Sequence, residues 1–292
     1  MNPVVSVIVA ARNEEQRVGS ALKSVLMQSL QDFEVIVVDD ASTDQTVEVL
    51  NTFARLDPRI VVLSTATRFG RAQARNWGIE KARAELIAIL DADDFMMPTR
   101  LEEQVRYIQA NNAIGMLGTW AYYQLRESFI VESRTPTDDA ALRRKLSWGI
   151  MPFVHVSMMF KRELVLAAGG YIGYPGNYNE DYYLCVRLVA CTKAAVIPIP
   201  LVVYSTDGLL DKHKLHAKQK ELAELERYLL HKNFSVARLV SLLMRKSSAV
   251  VPGSVYSHLT DRRLRHWPTC SPAETESIRN WISTVEGSLE LM

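Results

Sequence analysis

The stretch FEVIVVDDASTD at residues 33–44 decides the fold, because it joins an apolar run to an acidic end. Two more stretches have the same form, VVSVIVAARNE at 4–14 and AELIAILDADD at 84–94. Their apolar runs lack polar alternation, which is typical of strands covered on both faces. Segments with helical periodicity separate the runs, and we expect helices at 15–28, from a cap at Ser42 or Thr43 to Arg55, and at 71–83. This alternation predicts a mostly parallel sheet flanked by helices, an α/β fold.

After residue 113 the pattern changes from regular alternation to a mixture of short elements. We expect strands at 114–123, 128–132, 154–160, 194–197 and 201–204, and helices at 137–146 and from about 179 to 190. The Gly-, Tyr- and Asn-rich residues 169–179 indicate a loop. From Lys212 onward leucines recur at helical spacing. The sequence therefore predicts one α/β domain over residues 1–210 and a helical region over 211–292.

Composition limits the class of protein. The chain has 292 residues, 48% of them hydrophobic, which suffices for a large core and excludes general disorder. Its three cysteines lack ligand-like spacing with histidine, so we expect reduced thiols and no structural zinc. No apolar run approaches the roughly 18 residues of a spanning helix, and residues 1–10 have no signal-peptide pattern. These features predict a cytoplasmic protein.

Charge is unevenly distributed along the chain. Lysine and arginine number 34 and aspartate and glutamate 33, yet residues 211–267 hold 12 basic and 5 acidic residues. A basic segment of this kind can contact anionic lipid, since each basic residue near such a surface contributes about 1 kcal/mol and salt screens it. A solvated helical face is the competing interpretation. We expect no nucleic-acid partner.

Polar and acidic residues follow three of the predicted parallel strands, at Asn13 and Glu14, at Asp39 and Asp40, and at 91–94. Ligands of parallel α/β sheets bind beyond the carboxyl ends of the strands. Several carboxylates at one edge repel each other unless a cation or hydrogen-bond donors compensate. Their hard oxygens suit Mg²⁺ or Mn²⁺, which leave coordination positions for phosphate oxygens.

Three competing nucleotide or hydrolase motifs are missing from the sequence. No G-x-G-x-x-G follows the first strand, which argues against a Rossmann dinucleotide site. A P-loop motif G-x-x-x-x-G-K-[ST] is lacking, as is the G-x-S-x-G elbow of α/β-hydrolases. What remains is an acidic sheet edge suited to a metal, without a glycine loop around phosphate.

Four segments in order closely resemble the family 2 glycosyltransferases: VSVIVAARNE at 5–14, VVDDASTD at 37–44, ARNWGI at 74–79 and LDADD at 90–94. NEDY at 179–182 is similar to the later acidic motif of the family. The resemblance covers about residues 3–205. RFG at 68–70 departs from the Asn-x-Gly common in the family, which leaves the contribution of Arg68 open. The Q-x-x-R-W motif of processive synthases is lacking, so a non-processive enzyme is the better match.

The resemblance implies a GT-A fold, an inverting reaction and a nucleotide-diphosphate sugar donor, expected to be UDP-linked. It also implies a nucleotide-sugar half at 1–112 and an acceptor half at 113–210. Asp40 resembles the aspartate that reads the nucleobase edge, and Asp91 and Asp93 resemble the D-x-D pair, with Asp93 the expected metal ligand. Asp181 resembles the catalytic base. The remaining matched positions are Ala11, Asn13 and Glu14 in the first nucleotide-contacting loop, and Gly70, Arg75 and Asn76 beside the nucleotide and phosphates.

Structural alternatives exist for several of these residues. Asp181 could be a helix N-cap, in which case Glu180 is the next candidate base. Arg75 could be a surface helix charge, and Asp39 and Asp44 could be turn or cap residues. The resemblance implies that Asp94 lies near the sugar, whereas Trp77 is expected in the core and Cys185 and Cys191 are expected as buried helix residues. Aromatic rings on the acceptor side could stack on a sugar or pack in the core, namely Trp148, Tyr174 and Tyr178. His213 or His216 could reach the metal or diphosphate, or lie in a solvated helix start.

The predicted function is transfer of one sugar to a saccharide or lipid-linked acceptor in a bacterial surface polysaccharide or lipopolysaccharide pathway. Mg²⁺ or Mn²⁺ would stabilise charge on the departing diphosphate, and a carboxylate would take the proton of the acceptor hydroxyl. A sugar nucleotidyltransferase is the alternative within the fold, although it would need a Gly- and Arg-rich loop after the first strand. A catalytically silent nucleotide-sugar-binding protein is the alternative outside it.

Overall fold

The computed structural model describes residues 2–125, 129–172, 179–205 and 269–287. Its first half alternates strands and helices, as the apolar runs predict. The strands are β1 (Val5–Ala11), β2 (Phe33–Asp40), β3 (Ile60–Thr65), β4 (Leu86–Asp91) and the two-residue β5 (Phe95–Met96). The helices are α1 (Val18–Leu26), α2 (Thr46–Leu56), α3 (Arg71–Lys81) and α4 (Arg100–Ala110).

The second half is mixed. Its strands are β6 (Ile114–Leu125), β7 (Phe129–Ser133), β8 (Met159–Lys161) and β9 (Lys193–Ser205). Its helices are α5 (Asp139–Ser147), a 3₁₀ turn (His155–Ser157), α6 (Arg162–Ala167), α7 (Glu180–Leu188) and α8 (Pro272–Gly287). The strands predicted at 114–123 and 128–132 are confirmed as β6 and β7, which are antiparallel partners.

The described strands form one sheet in the order β3-β2-β1-β4-β8-β6-β9-β5, with β7 added on β6. β1 is parallel to both β2 and β4, and β2 is parallel to β3. The carboxyl ends of β1, β2 and β4 therefore meet at one edge. β8 runs antiparallel to β4, so the turn before β8 returns to that same edge. The predicted α/β fold class is confirmed.

Both faces of the sheet are covered by apolar side chains. One core cluster packs α1, α2 and α4 against one face, and a second packs α3, α5, α6 and α7 against the other. The alternate residues of β1 point into the two clusters, with Val7 in the first and Ile8 in the second. Helix α3 lies close to the sheet at Gly78, where an added Cβ would be 2.8 Å from Cγ2 of Ile8.

Three local predictions were wrong. Residues 154–160 form a 3₁₀ turn and a short strand rather than one strand, because the Ser157 hydroxyl donates to the Val154 carbonyl at 2.7 Å and curls the backbone. The two strands predicted at 194–197 and 201–204 are one strand, β9. A register shift pairs Thr119 with Ile197 and Trp120 with Pro200, so residues 198 and 199 have no partner in β6 and the chain continues past its prolines.

The cap predicted at Ser42 or Thr43 was also wrong. Helix α2 begins at Thr46, and its first turn is held by Asp44, whose Oδ1 accepts from the Thr46 amide at 3.0 Å and from the Thr46 hydroxyl at 2.6 Å. Asp44 is thus a turn residue, as the structural alternative proposed. Cys185 is buried in α7 as expected, whereas Cys191 is exposed in the turn after α7.

Part of the helical region predicted for residues 211–292 is described. Helix α8 packs against Phe95 and Val203, and the Trp281 ring meets the Phe95 ring edge-on at 6.1 Å. The basic segment 211–267 lies outside the described residues, as do Tyr174, Tyr178, His213 and His216. Among the helices that are described, none is long and apolar enough to span a membrane.

Candidate active site

Three carboxylates lie within four residues at the end of β4, where the parallel strands meet. Asp91 closes the strand, and Asp93 and Asp94 follow in the turn that leads to β5. The Asp94 amide donates to the Asp91 carbonyl at 3.2 Å, which tightens this turn. The structure therefore confirms that the acidic motif lies at the sheet edge predicted for ligand binding.

Asp91 is joined to helix α7 through one arginine. Arg75 Nη2 donates to Asp91 Oδ1 at 2.6 Å, and Arg75 Nη1 donates to Glu180 Oε1 at 2.9 Å. The Arg75 side chain is 1% exposed, so the interpretation of Arg75 as a surface helix charge is wrong. The bridge connects the end of β4, helix α3 and the start of α7, which are distant in sequence.

The hydrogen bonds from Arg75 to the two carboxylates affect the pKa values of Asp91 and Arg75. Burial disfavours the charged form of Asp91, but the neighbouring guanidinium of Arg75, with Arg71, lowers the pKa of the Asp91 carboxyl below its ordinary value. Burial opposes the charge of Arg75 too, and the two carboxylates outweigh it and raise the arginine pKa. Both groups are therefore ionised at neutral pH.

Asp93 and Asp94 have different surroundings. Asp93 Oδ2 lies 3.5 Å from Arg17 Nη1, and the same arginine pairs with Glu14 at 2.8 Å. Asp94 is buried, and its Oδ1 accepts from the Ser205 amide at 2.7 Å at the end of β9. The other oxygen, Oδ2, has no hydrogen-bond partner among the described residues. Burial and the charges of Asp93 and Asp91 raise the pKa of Asp94.

The loops after β1 and β2 are bound to each other. Asn13 Oδ1 accepts from the Thr43 amide at 2.9 Å, and the Asn13 amide donates to the Ser42 hydroxyl at 3.0 Å. Asn13 and Ala41 both have positive φ, 55° and 57°. Such backbone conformations cost about 1 kcal/mol or more and collect at functional sites. The loops predicted to contact a nucleotide are therefore held in a strained, cross-linked arrangement.

The carboxylate of Asp40 binds backbone amides of the loop before α3. It accepts from the backbone amides of Phe69 and Gly70, the latter at 2.9 Å. Gly70 has φ 88°, a conformation that favours glycine. Ala11, at the end of β1, is buried beside Asp39. The structure thus brings Ala11, Asp40 and Gly70 to one edge.

The start of α7 carries the predicted base. Asn179 occupies the N-cap position with φ 62°, so the interpretation of Asp181 as the N-cap is wrong. Glu180 is buried and turned toward Arg75. Asp181 is half-buried in the first turn, and its Oδ1 accepts from the Tyr182 amide at 2.8 Å. Two adjacent carboxylates therefore have separate environments.

Sequence reasoning missed several residues at this site. Arg71, one helical turn before Arg75, places Nε 3.4 Å from Glu180 Oε1 and is half-exposed. Tyr171 is buried, and the centroid of its ring lies 5.5 Å from Cζ of Arg75. His155 Nε2 shares a 2.9 Å hydrogen bond with the Tyr171 hydroxyl. Burial, with the charge of Arg75, lowers the pKa of His155, so the imidazole is neutral. The i, i+4 spacing of Arg71 and Arg75 was the only available signal.

Comparison with known proteins assigns the family. The model of "Glycosyl transferase family 2" matches residues 6–167. An uncharacterised glycosyltransferase of Haemophilus influenzae is 37% identical over 67% of this chain and 75% of its own length. The chain therefore belongs to glycosyl transferase family 2, and it is a glycosyltransferase.

Two further proteins extend the comparison. The O-antigen biosynthesis glycosyltransferase WbnJ of Escherichia coli is 29% identical over 64% of this chain and 72% of its own length. The mannosyltransferase PcManGT of Pyrobaculum calidifontis, solved in complex with GDP-Man and Mn²⁺, superposes with a TM-score of 0.59 at 19% identity. That structure covers 100% of this chain, and this chain covers 88% of it. The superposition confirms the fold, which is the GT-A arrangement implied by the sequence.

Proposed function

We propose that this glycosyltransferase moves one sugar from a nucleoside-diphosphate sugar to a saccharide or lipid-linked acceptor with inversion. The observation that supports this most is the Asp91–Arg75–Glu180 bridge. It joins Asp91 of the acidic loop to Glu180, the residue before Asp181, which supports a donor site at the loop next to the proposed base. An inverting transfer needs a leaving group and a base on opposite sides of one carbon, and the acidic loop and Asp181 would supply these two roles.

The acidic loop fits a divalent cation. The described residues include no group of three or more His, Cys, Asp or Glu side chains placed to hold a metal. Mg²⁺ and Mn²⁺ sites in phosphate-transfer enzymes commonly use one or two carboxylates and complete the shell with water and phosphate oxygens. Burial, together with the charges of Asp93 and Asp91, raises the pKa of Asp94, and a bound cation would offset the repulsion from these neighbouring carboxylates. Asp93 would hold the metal, with Asp91 beside it.

Bound there, the cation would stabilise the negative charge that develops on the departing diphosphate. The residues of the chain supply the other functions. The loops at Asn13 and Asp40 would bind the nucleoside, because they follow β1 and β2 at the carboxyl edge of the sheet, where Asn13 is bonded to Thr43 and Asp40 to Gly70. Gly70 occupies the N-cap position of helix α3, and Arg71 in its first turn lies 3.4 Å from Glu180. Asp181 would accept the proton of the acceptor hydroxyl.

A relative supports a pathway class for the acceptor. WbnJ is named for O-antigen biosynthesis. We therefore place this enzyme in the synthesis of a bacterial surface polysaccharide. UDP remains the expected nucleotide.

Contact between the basic segment 211–267 and anionic lipid is tested by co-sedimentation with phosphatidylserine vesicles at low and high salt.

The proposed function is tested with a donor panel. UDP-, GDP- and dTDP-sugars are added with Mn²⁺, and thermal unfolding is followed, because a ligand that binds only the folded state raises the unfolding temperature. One nucleotide class should raise it, and its labelled sugar should transfer to a polyprenyl-diphosphate-linked saccharide. The nucleoside monophosphate is the control. If no nucleotide sugar changes the unfolding temperature and no label is transferred, the proposal fails.

A further inference from the structure

Arg75 is enclosed so completely that it has no route to solvent. Its side chain is 1% exposed, and its two terminal nitrogens are taken by Asp91 and Glu180. The Tyr171 ring closes the remaining side, with its centroid 5.5 Å from Arg75 Cζ. The third nitrogen, Nε, is buried and has no partner among the described residues. A guanidinium in this position contacts protein rather than a bound nucleotide.

The two carboxylates that Arg75 joins belong to different parts of the site. Asp91 ends β4 and opens the acidic loop, whereas Glu180 is the first residue of α7 and precedes Asp181. The adjoining Asn179 has a left-handed backbone with φ 62°, so the start of α7 departs from regular geometry. Among the described residues, Arg71 also reaches Glu180, at the longer distance of 3.4 Å and from a half-exposed position.

We propose that Arg75 is a positioning residue that sets the distance between the acidic loop and Asp181, and that it does not bind the donor. This inference rests on the proposed function. Arg75 holds Glu180 at one end and Asp91 at the other, and the planar guanidinium fixes both directions at once. Since a displacement of about 1 Å can cost roughly 10²-fold in rate, loss of this bridge should impair transfer without removing the donor site.

The test compares Arg75→Lys with wild type. Lysine keeps the positive charge between the two carboxylates but lacks the planar fork that reaches both. We expect the donor Kd, measured by titration calorimetry with Mn²⁺ and the nucleotide sugar that binds in the panel, to change less than about threefold. We expect kcat to fall by roughly 10²-fold, in line with a displaced base. The unfolding temperature reports whether the variant is folded.

Arg106→Lys is the matched control, because Arg106 also pairs with a glutamate, Glu103, but lies exposed on α4. It should leave Kd and kcat unchanged.

A second variant distinguishes the positioning effect of Arg75 from the effect of its charge. Arg75→Met alone would leave the buried Glu180 and the partly exposed Asp91 without their shared cation, so it is combined with Glu180→Gln, which removes one of the two charges. The double variant should fold and bind donor, yet transfer as slowly as Arg75→Lys.

Three results would overturn the inference. Transfer by Arg75→Lys within threefold of wild type would show that the bridge is unnecessary. A loss of donor affinity in parallel with kcat would make Arg75 part of the donor site. Recovery of transfer in the double variant would show that only charge balance matters. Failure of the proposed function is distinguishable, because wild type itself would then neither bind nor transfer.

Discussion

Arg75 and Glu180 are 105 positions apart in the chain, yet Arg75 Nη1 donates to Glu180 Oε1 at 2.9 Å inside the protein. Both side chains are at least 95% buried. A buried ion pair contributes little net stability, because desolvation offsets the attraction, but breaking it by removing one partner is costly. The pair therefore serves geometry more than stability, since it determines where α7 begins relative to the acidic loop.

Metal dependence is the first prediction. Asp93→Asn removes the charge expected to hold the cation and keeps the size of the side chain. The donor should then bind equally weakly with and without Mn²⁺, whereas wild type should lose donor binding in EDTA. Titration calorimetry measures both. Asp32→Asn, at an exposed aspartate before β2, is the control. Full donor binding and turnover by wild type in EDTA would contradict the metal assignment.

The second prediction concerns the base. Asp181→Asn keeps the size of the side chain and removes its basicity. We expect donor and metal affinity to stay near wild type and the transfer rate to fall by roughly 10² to 10⁴, the usual contribution of a general base. Single-turnover transfer with labelled donor measures this.

Glu180→Gln gives the comparison for the base, because Glu180 is buried against Arg75 rather than half-exposed. It should retain more activity than Asp181→Asn, since its role is to position the helix. If Asp181→Asn transfers at close to the wild-type rate and Glu180→Gln does not, Glu180 is the base.

The third prediction concerns acid stability. Glu34 is buried, and although burial disfavours its charge, bonds from the Ser6 hydroxyl at 2.6 Å and from Arg83 lower its pKa below the ordinary value of 4.5. Because the folded-state pKa is the lower one, the carboxylate stabilises the protein fully above about pH 4.5. This contribution is lost as the pH falls through the folded-state pKa.

Glu34→Gln should therefore lower the free energy of unfolding at pH 7 by about 1.5–3 kcal/mol, the usual range for bonds to a charged group. The difference from wild type should shrink below pH 4.5. Urea unfolding at pH 7, 5 and 3.5 measures this, with Glu85→Gln at an exposed position as the control. A difference that stays constant with pH would show that the charge of Glu34 contributes nothing.

The fourth prediction concerns the contact of α3 with the sheet. A Cβ at Gly78 would lie 2.8 Å from Ile8 Cγ2 and 3.3 Å from Val38 Cγ2. Overpacking of a core typically costs about 1–3 kcal/mol, and the better helix propensity of alanine recovers up to about 1 kcal/mol. Gly78→Ala should thus lower the unfolding free energy. Gly287→Ala, with nothing within 4 Å of its Cβ, should not. Equal effects at both sites would exclude a steric cause.

The sequence was sufficient to predict the strands and the site residues that have a recognisable local sequence pattern. The buried runs at 33–40 and 86–91 have no polar alternation, and their acidic ends could only lie at the carboxyl edge of a parallel sheet. Gly70 and Asp40 followed from the family motifs, and both lie at this edge.

Contacts between residues that are distant in the chain could not be predicted from the sequence. Nothing in the local pattern distinguishes a buried Arg75 from an exposed helix charge, because its partners lie on β4 and α7. The same is true of Tyr171 and His155, which are joined by a hydrogen bond although β8 and α6 separate them in the chain. Prolines at 198 and 200 suggested a break in the strand, which a register shift against β6 avoids.

The packing of helix α8 also bears on when the residues beside the acidic loop reach their folded arrangement during synthesis. The helix covers Phe95, which directly follows Asp94, and it contacts α1 near the start of the chain. Contacts between segments this far apart in sequence form late, since the intervening chain must first be closed into a loop. A ribosome-bound chain that has not yet released residues 272–287 therefore exposes the apolar side of β5. A chain truncated before residue 272 should therefore leave the Phe95 side chain without the cover of α8.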